Sequence, residues 1–290
     1  MRIFDCFTFF NELDLLEIRL AELAPFVNHF VIAESPLTFT GREKPLFFGE
    51  NRARFAPYAD KIIHIVVEDM PNAPETSAWE REWHQRRALI RGLKEAAPED
   101  IVILSDLDEI PRPQALEALR SSPPRGEIAV LESNLSLGYA NTRPVEPYFS
   151  LVQAPRALAR KHLKDFQDLR AFRARTSRST LVAPFDPLLT RIRAGFTFGA
   201  PLGVRTLTDA AWHFSYLGGA EAIREKLTSY AHTEAQTKEG LDLDNIAKGL
   251  ASREFHLGGI KLHDVALDET FPATLRNQPE KWAHLIAPKA

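Results

Sequence analysis

The feature that most constrains this chain is an apolar run that stops abruptly at three carboxylates and a proline: Ile101-Val102-Ile103-Leu104-Ser105-Asp106-Leu107-Asp108-Glu109-Ile110-Pro111. The apolar part has the length of a buried strand. Crowded carboxylates repel one another, and burying one without a partner is costly. A cation is therefore expected at the C-terminal end of this strand. Asp106 and Asp108 are hard oxygen ligands two residues apart. Such ligands suit Mg²⁺ or Mn²⁺, which take one or two protein carboxylates and complete their shell with water and substrate phosphates. Chemistry on a phosphorylated substrate is the expectation.

Two other readings compete. One is a plain acidic loop in which Asp108 or Glu109 caps the next helix. Placement directly after a strand, where open α/β sheets bind ligands, favours a site instead. The other is a haloacid-dehalogenase-type phosphatase, whose first strand ends in the same Asp-x-Asp. That chemistry needs a later Gly-Asp metal motif, and none occurs in the 290 residues.

A chain of this length with 44% apolar residues can bury a full core, and a single domain over 1–290 is expected. A net charge of −3 provides no global field for nucleic acid. The lone Cys6 excludes an internal disulfide and suits a reducing compartment. No apolar stretch approaches the ~20 residues of a membrane span, and Met-Arg-Ile-Phe-Asp-Cys lacks a signal-peptide layout. A soluble, cytoplasmic protein is expected.

Short apolar runs alternate with helical patterns through the first two-thirds of the chain. Strands are expected at Ile3 to Phe10, Phe26 to Ala33, Ile62 to Val67 and Ile101 to Leu104. Helices are expected after Asn11, over Ser77 to Ala97, and over Gly219 to His232. Ile128 to Leu131 and Phe149 to Val152 read as later strands. This alternation predicts an α/β fold with a mostly parallel sheet flanked by helices. On the second helix, Trp79, Trp83, Arg86, Ile90, Leu93 and Ala97 form one stripe, in which Arg86 is the charged member. A guanidinium cannot shed its charge, so an inward Arg86 needs either a structural carboxylate or an anionic ligand. Arg81 and Gln85 would line the neighbouring edge.

Several of these stretches together resemble glycosyltransferase family 17: Phe4-Asp5-Cys6-Phe7, Phe9-Phe10-Asn11-Glu12, Leu15-Leu16-Glu17-Ile18-Arg19, Glu34-Ser35, Thr38, Gly41, Pro45-Leu46, Trp79-Glu80-Arg81-Glu82, Gln85-Arg86, the acidic motif, and Trp212-His213-Phe214-Ser215-Tyr216. The similarity is dense over residues 1–120, thins through 125–205 and returns over 210–235. The resemblance implies a GT-A fold with a Rossmann-like sheet, in which 1–125 hold a nucleotide sugar and 126–290 an acceptor. It also implies an inverting, metal-dependent transfer of GlcNAc from UDP-GlcNAc to a glycan or lipid-linked acceptor in β-linkage. Unlike animal members, the chain shows no N-terminal membrane anchor, and a bacterial-type member with its own acceptor is expected.

On that resemblance, Asp106 and Asp108 face a Mn²⁺ or Mg²⁺ ion, with Asp108 the direct ligand and Asp106 turned to ribose or a metal-bound water. His213 is the third ligand, its alternative being an aromatic-flanked core histidine. Glu34 would hold the nucleoside, and Arg81, Gln85 and Arg86 the rest of the donor. Glu221, near the start of a helix behind Gly218-Gly219, or else Asp209, would serve as general base. His232 and Glu234 form a polar cluster without an assigned role. The basic residues from Arg156 to Arg178 form either a solvated face or a patch for an anionic acceptor or the inner membrane face. Asp242-Leu243-Asp244 repeats the acidic spelling but reads as a helix start. The rival functions are nucleotidyl or phosphoryl transfer at the same metal site, and a non-catalytic sugar-nucleotide-binding module.

Overall fold

The computed structural model describes residues 1–146, 149–150, 153–173, 185–231, 233 and 236–288. The strands are β1 (Ile3–Phe9), β2 (His29–Glu34), β3 (Ile62–Val66), β4 (Ile101–Asp106), β5 (Glu109–Pro111), β6 (Glu127–Leu137), β7 (Thr142–Pro144), β8 (Phe149–Ser150), β9 (Arg156–Ala159), β10 (Gly203–Ser215), β11 (Glu254–Phe255) and β12 (Ile260–Asp264). The helices are α1 (Leu13–Leu23), α2 (Phe47–Glu50), α3 (Ala78–Ala88), α4 (Pro113–Ser121), α5 (Phe166–Ala171), α6 (Asp186–Phe198), α7 (Gly219–Ser229), α8 (Leu243–Ser252) and α9 (Ala273–Asn277).

The main sheet runs β3-β2-β1-β4-β9-β6-β10-β5, with β8 attached to β6. β1 to β4, β6 and β10 all point the same way, while β9 and β5 run against them. This is the mostly parallel α/β sheet expected from the alternation of elements. The sheet curls. β4 and β5 are separated in the pairing order by β9, β6 and β10, yet only Leu107 and Asp108 join them along the chain. The acidic motif is therefore the point where the sheet returns to itself.

Apolar residues of β1, β2 and β4 alternate between two cores. Ile3, Phe7, Phe30, Ile32, Ile101 and Ile103 pack against α1, whereas Phe4, Cys6, Val31, Val102 and Leu104 pack toward α3 and α5. Side chains of a strand alternate faces, so a sheet covered on both sides needs continuous apolar runs. Asp5 breaks the run in β1. It is fully buried and answered by Arg19 of α1, whose Nε and Nη2 donate to its two oxygens at 2.8 and 2.6 Å.

Some local expectations shift. The helix after Asn11 starts at Leu13 behind Glu12, without a side-chain cap. α3 begins at a Ser77–Glu80 capping box, as its sequence suggests. Its inward face carries Glu82, Gln85, Arg86 and Leu89, while Trp79 and Trp83 lie exposed, so the stripe drawn through the tryptophans is out of phase. Asp242 caps α8, its side chain accepting from Asn245 N at 2.8 Å. Residues 151–152 of one expected strand lie outside the described residues. No helix among the described residues is long and apolar enough to cross a membrane.

Removing one partner of a buried charge pair strands the other. Asp5→Ala should cost about 3–5 kcal/mol of stability. Urea denaturation measures this, and a loss below about 1 kcal/mol would show that the pair is not what holds β1 to α1.

Candidate active site

Arg19 does more than neutralise Asp5. Its Nη1 donates to the carbonyls of Asp106, Leu107 and Glu109 at 3.1, 3.0 and 3.0 Å, and its Nη2 donates to Ser105 Oγ at 2.6 Å. The guanidinium also lies 4.3 Å from the centre of the Phe7 ring. A planar fork with five donors can gather several backbone carbonyls at once. The turn carrying the three carboxylates is thereby fixed from below, and the side chains project to the other side.

Those carboxylates meet protein cations. Arg170 of α5 donates to both oxygens of Glu109 at 2.7 and 2.8 Å and to Asp106 Oδ2 at 2.7 Å. Arg86 of α3 approaches Asp106 Oδ1 at 3.4 Å and also pairs with Glu82 and Gln167. Burial pushes the Asp106 carboxyl up, but Arg170 and Arg86 outweigh it and hold the group at about 2. Lys226 of α7 sits 2.7 Å from Asp108 Oδ2 and 3.6 Å from Glu12 Oε1, near the Tyr216 and Tyr230 rings. Burial again opposes ionisation of Asp108, and Lys226 more than offsets it, so its carboxyl also lies below the usual range. By contrast, burial raises Glu82 despite its pairing with Arg86.

The motif divides two cavities. A narrow slot lies on the β1 and α3 side, lined by Thr8, Phe10, Thr38, Phe39, Gln85 and Arg86. Its roof is latched to α7: Phe39 N donates to Ser229 O at 3.2 Å, and Arg42 Nη2 to Ser229 Oγ at 2.9 Å. On the other side opens a cleft of about 860 Å³, walled by β6, β10 and the small sheet of β11, β12 and β7. Asp106, Asp108, Lys226 and Tyr230 line both cavities.

The expected site residues divide accordingly. Asp106, Asp108, Gln85 and Arg86 line the slot, and His213 lines the cleft. Glu34 does not face the slot. It is fully buried, accepts from Phe48 N at 2.9 Å at the start of α2 and lies 3.0 Å from His64 Nε2. Arg81 ties loops together through the carbonyls of Pro71, Thr76 and Phe39, at 3.0, 2.9 and 3.3 Å. It lies under Gly41, whose φ of +86° and close approach to the guanidinium suit glycine alone. Neither expected base lines the slot or the cleft. Glu221 is exposed on the first turn of α7, and Asp209 sits at a bulge of β10, 2.8 Å from Arg112. The basic stretch is not one surface: Arg156 is buried, Arg170 points into the site, and Arg175 and Arg178 lie outside the described residues, as do His232 and Glu234.

The donor set suits a divalent ion at Asp108 but not at Asp106. Asp108 Oδ1 and His213 Nε2 face each other across 3.9 Å, and His213 Nδ1 is buried without a partner. Both Asp106 oxygens are drawn to arginines instead. Among the described residues, no three His, Cys, Asp or Glu side chains gather closely enough to hold a metal by themselves. Two protein ligands are nevertheless ordinary where substrate phosphates complete the shell.

Asp106 in the folded protein ionises at about 2 against an unfolded value of about 3.9. Its ion pairs thus stabilise the fold above pH ~4 and are lost as pH falls toward 2. The stability gap between wild type and Arg170→Gln should be full at pH 5–7 and narrow below pH ~4. Urea titrations across that range measure it, and a constant gap would contradict the assignment.

Residues 1–134 match the sequence profile of Glycosyltransferase family 17. β-1,4-Mannosyl-glycoprotein 4-β-N-acetylglucosaminyltransferases of Rattus norvegicus and Homo sapiens are each 29% identical over 116 residues, covering 38% of this chain. The match spans only 22% of those relatives' length. A solved structure, S. aureus TarS 1-349 in complex with UDP-GlcNAc, aligns with a TM-score of 0.42 at 12% identity, over 89% of this chain and 73% of that one. The matched stretch runs from β1 to the middle of β6 and contains the Arg19 clamp and the whole acidic motif.

Proposed function

We propose that the protein is an inverting glycosyltransferase that moves GlcNAc from UDP-GlcNAc to an acceptor in β-linkage. The observation that carries this reading is the pair of cavities meeting at Asp106, Asp108, Lys226 and Tyr230, on a motif within the family 17 segment. The names of the curated relatives support the donor sugar. On this reading the slot, open to about 50 Å³, widens to take the nucleotide and the cleft takes the acceptor, so that the diphosphate and the anomeric carbon lie at the shared wall.

Around that wall the protein supplies fixed charge. Arg86 and Lys226 are the cations that a diphosphate in the slot meets, and their positions are set beforehand by Asp106, Glu82, Asp108 and Glu12. Preorganised charge of this kind stabilises a leaving group as its negative charge develops. Asp108 and His213 are the residues that would hold Mn²⁺ or Mg²⁺, which would supply further neutralisation of the departing diphosphate.

Inversion also needs a base for the acceptor hydroxyl. With Glu221 and Asp209 outside the cavities, the base belongs among the carboxylates of the cleft. Asp106, Asp108 and Glu109 are ion-paired, whereas Glu146, the remaining carboxylate among the described lining residues, makes no ion pair with another described residue. We assign that role to Glu146.

Incubation with UDP-GlcNAc and Mn²⁺ should release UDP and free GlcNAc slowly, and Asp108→Asn should lower transfer by at least about 100-fold. Release of UMP or inorganic phosphate instead would indicate nucleotidyl or phosphoryl transfer, and UDP binding without turnover a non-catalytic module. For the base, Glu146→Gln should lose transfer to a hydroxyl acceptor while UDP affinity stays unchanged. A thiol-bearing acceptor sugar, which ionises without assistance, should restore it; equal loss with both acceptors would remove Glu146 from the proton transfer.

A further inference from the structure

α6 turns an apolar side to solvent. Asp186, Thr190, Ala194 and Phe198 recur at spacings of four and are buried, so one side of the helix packs on the core beside α5. Phe185, Leu188, Ile192 and Phe196 recur at spacings of three and four on the opposite side, and they are 58%, 56%, 48% and 87% exposed. None of the four belongs to an apolar cluster of the described residues. Single exposed apolar residues are ordinary, but a row of four along one helix marks an interaction surface.

Cations flank the row. At 3.6 residues per turn, Arg191 falls on one side of it and Arg193 on the other, and both are exposed. Arg191 lies beside Gly203, Arg193 lies 5.3 Å from the centre of the Phe172 ring, and Lys164 approaches Gly199 at the C-terminal end of the helix. Asp186 is the one carboxylate of α6, and it is on the buried side. Of the carboxylates on neighbouring elements, Asp165 pairs with Arg87 at 2.7 Å and Glu127 with Arg205 at 2.9 Å, while Asp168 of α5 is exposed. From Leu169 to Thr208 the sequence carries seven arginines against Asp186 alone.

This charge pattern selects the occupant. A second copy docked on the same face would set arginine flanks against arginine flanks, with no exposed carboxylate on α6 to answer them. A bilayer surface with anionic headgroups answers both features together: apolar side chains enter the acyl boundary, and the flanking arginines reach the phosphates. We propose that α6 docks the protein on an anionic membrane surface, with Phe185, Leu188, Ile192 and Phe196 in the interface and Arg191 and Arg193 at the headgroups. The docked helix is one element removed from the acidic motif. Phe198 packs on Phe172 at the end of α5, with ring centroids 5.2 Å apart, and Arg170 of α5 holds Asp106 and Glu109. The inference is independent of the glycosyl-transfer reading.

Co-sedimentation of the full chain with lipid vesicles tests the proposal. At low salt, vesicles of mixed phosphatidylglycerol and phosphatidylcholine should bind at least about tenfold more tightly than phosphatidylcholine alone, and added salt should shrink the difference. Ile192→Ser combined with Phe196→Ser should weaken binding to the anionic vesicles by about tenfold or more. Because both side chains are exposed, the thermal melt of this variant should match that of the wild type. Arg191→Gln and Arg193→Gln should each lower the anionic preference about fivefold. Absence of binding to anionic vesicles, equal binding to both kinds, or binding that survives the serine variant would overturn the proposal. A dimer in sedimentation equilibrium that the serine variant dissolves, without vesicle binding, would overturn it too and give the face to a second copy.

Discussion

The Arg19–Asp5 pair is the interaction on which the rest of the molecule depends. Neither side chain reaches solvent, and together they tie the first strand to the first helix. Of its four remaining contacts, three reach the carbonyls of a turn more than eighty residues away and one reaches Ser105 Oγ. The turn is otherwise hard to build. It must end a central strand, begin an edge strand of the same curled sheet and keep three carboxylates on one side. Collecting its carbonyls on one buried guanidinium satisfies backbone groups that would otherwise be orphaned. A rigid support of this kind is what an active-site constellation needs from the layer behind it.

Above the clamp, the electrostatic problem posed by adjacent carboxylates is solved by distribution. Arg170 takes Glu109 and half of Asp106, Arg86 takes the other half, and Lys226 takes Asp108. Each cation comes from a different helix, so the charge balance also fixes α3, α5 and α7 around the site. Asp108 also has an oxygen 3.9 Å from His213 Nε2, whereas both oxygens of Asp106 meet arginines.

Much of this was legible in the sequence because it depends on local pattern. Continuous apolar runs in the first four strands marked a sheet covered on both faces, and the abrupt charge after Leu104 marked the acidic end of the fourth strand. The break made by Asp5 in the first run was an available signal, since a buried carboxylate demands a cation, but the sequence does not say which of its many arginines answers. Arg170 was visible only as one of a basic series, and Lys226 as an ordinary helix lysine. The out-of-phase stripe on α3 has a similar origin: two tryptophans suggested the inward face, but packing turned Glu82, Gln85 and Arg86 inward to meet a charged site.

Sequence alone therefore determined the sheet class, the position of the acidic motif at a strand end, and the need for positive charge beside it. These follow from side-chain periodicity and from the cost of burying like charges, both of which act over a few residues. Tertiary structure decided which groups supply that charge, that Glu34 and Arg81 bond to neighbouring loops, and that Glu221 and Asp209 line neither the slot nor the cleft. It also created the cleft, whose wall comes from strands far apart in the chain. Long-range pairing brings those groups together, and no spacing along the sequence encodes it.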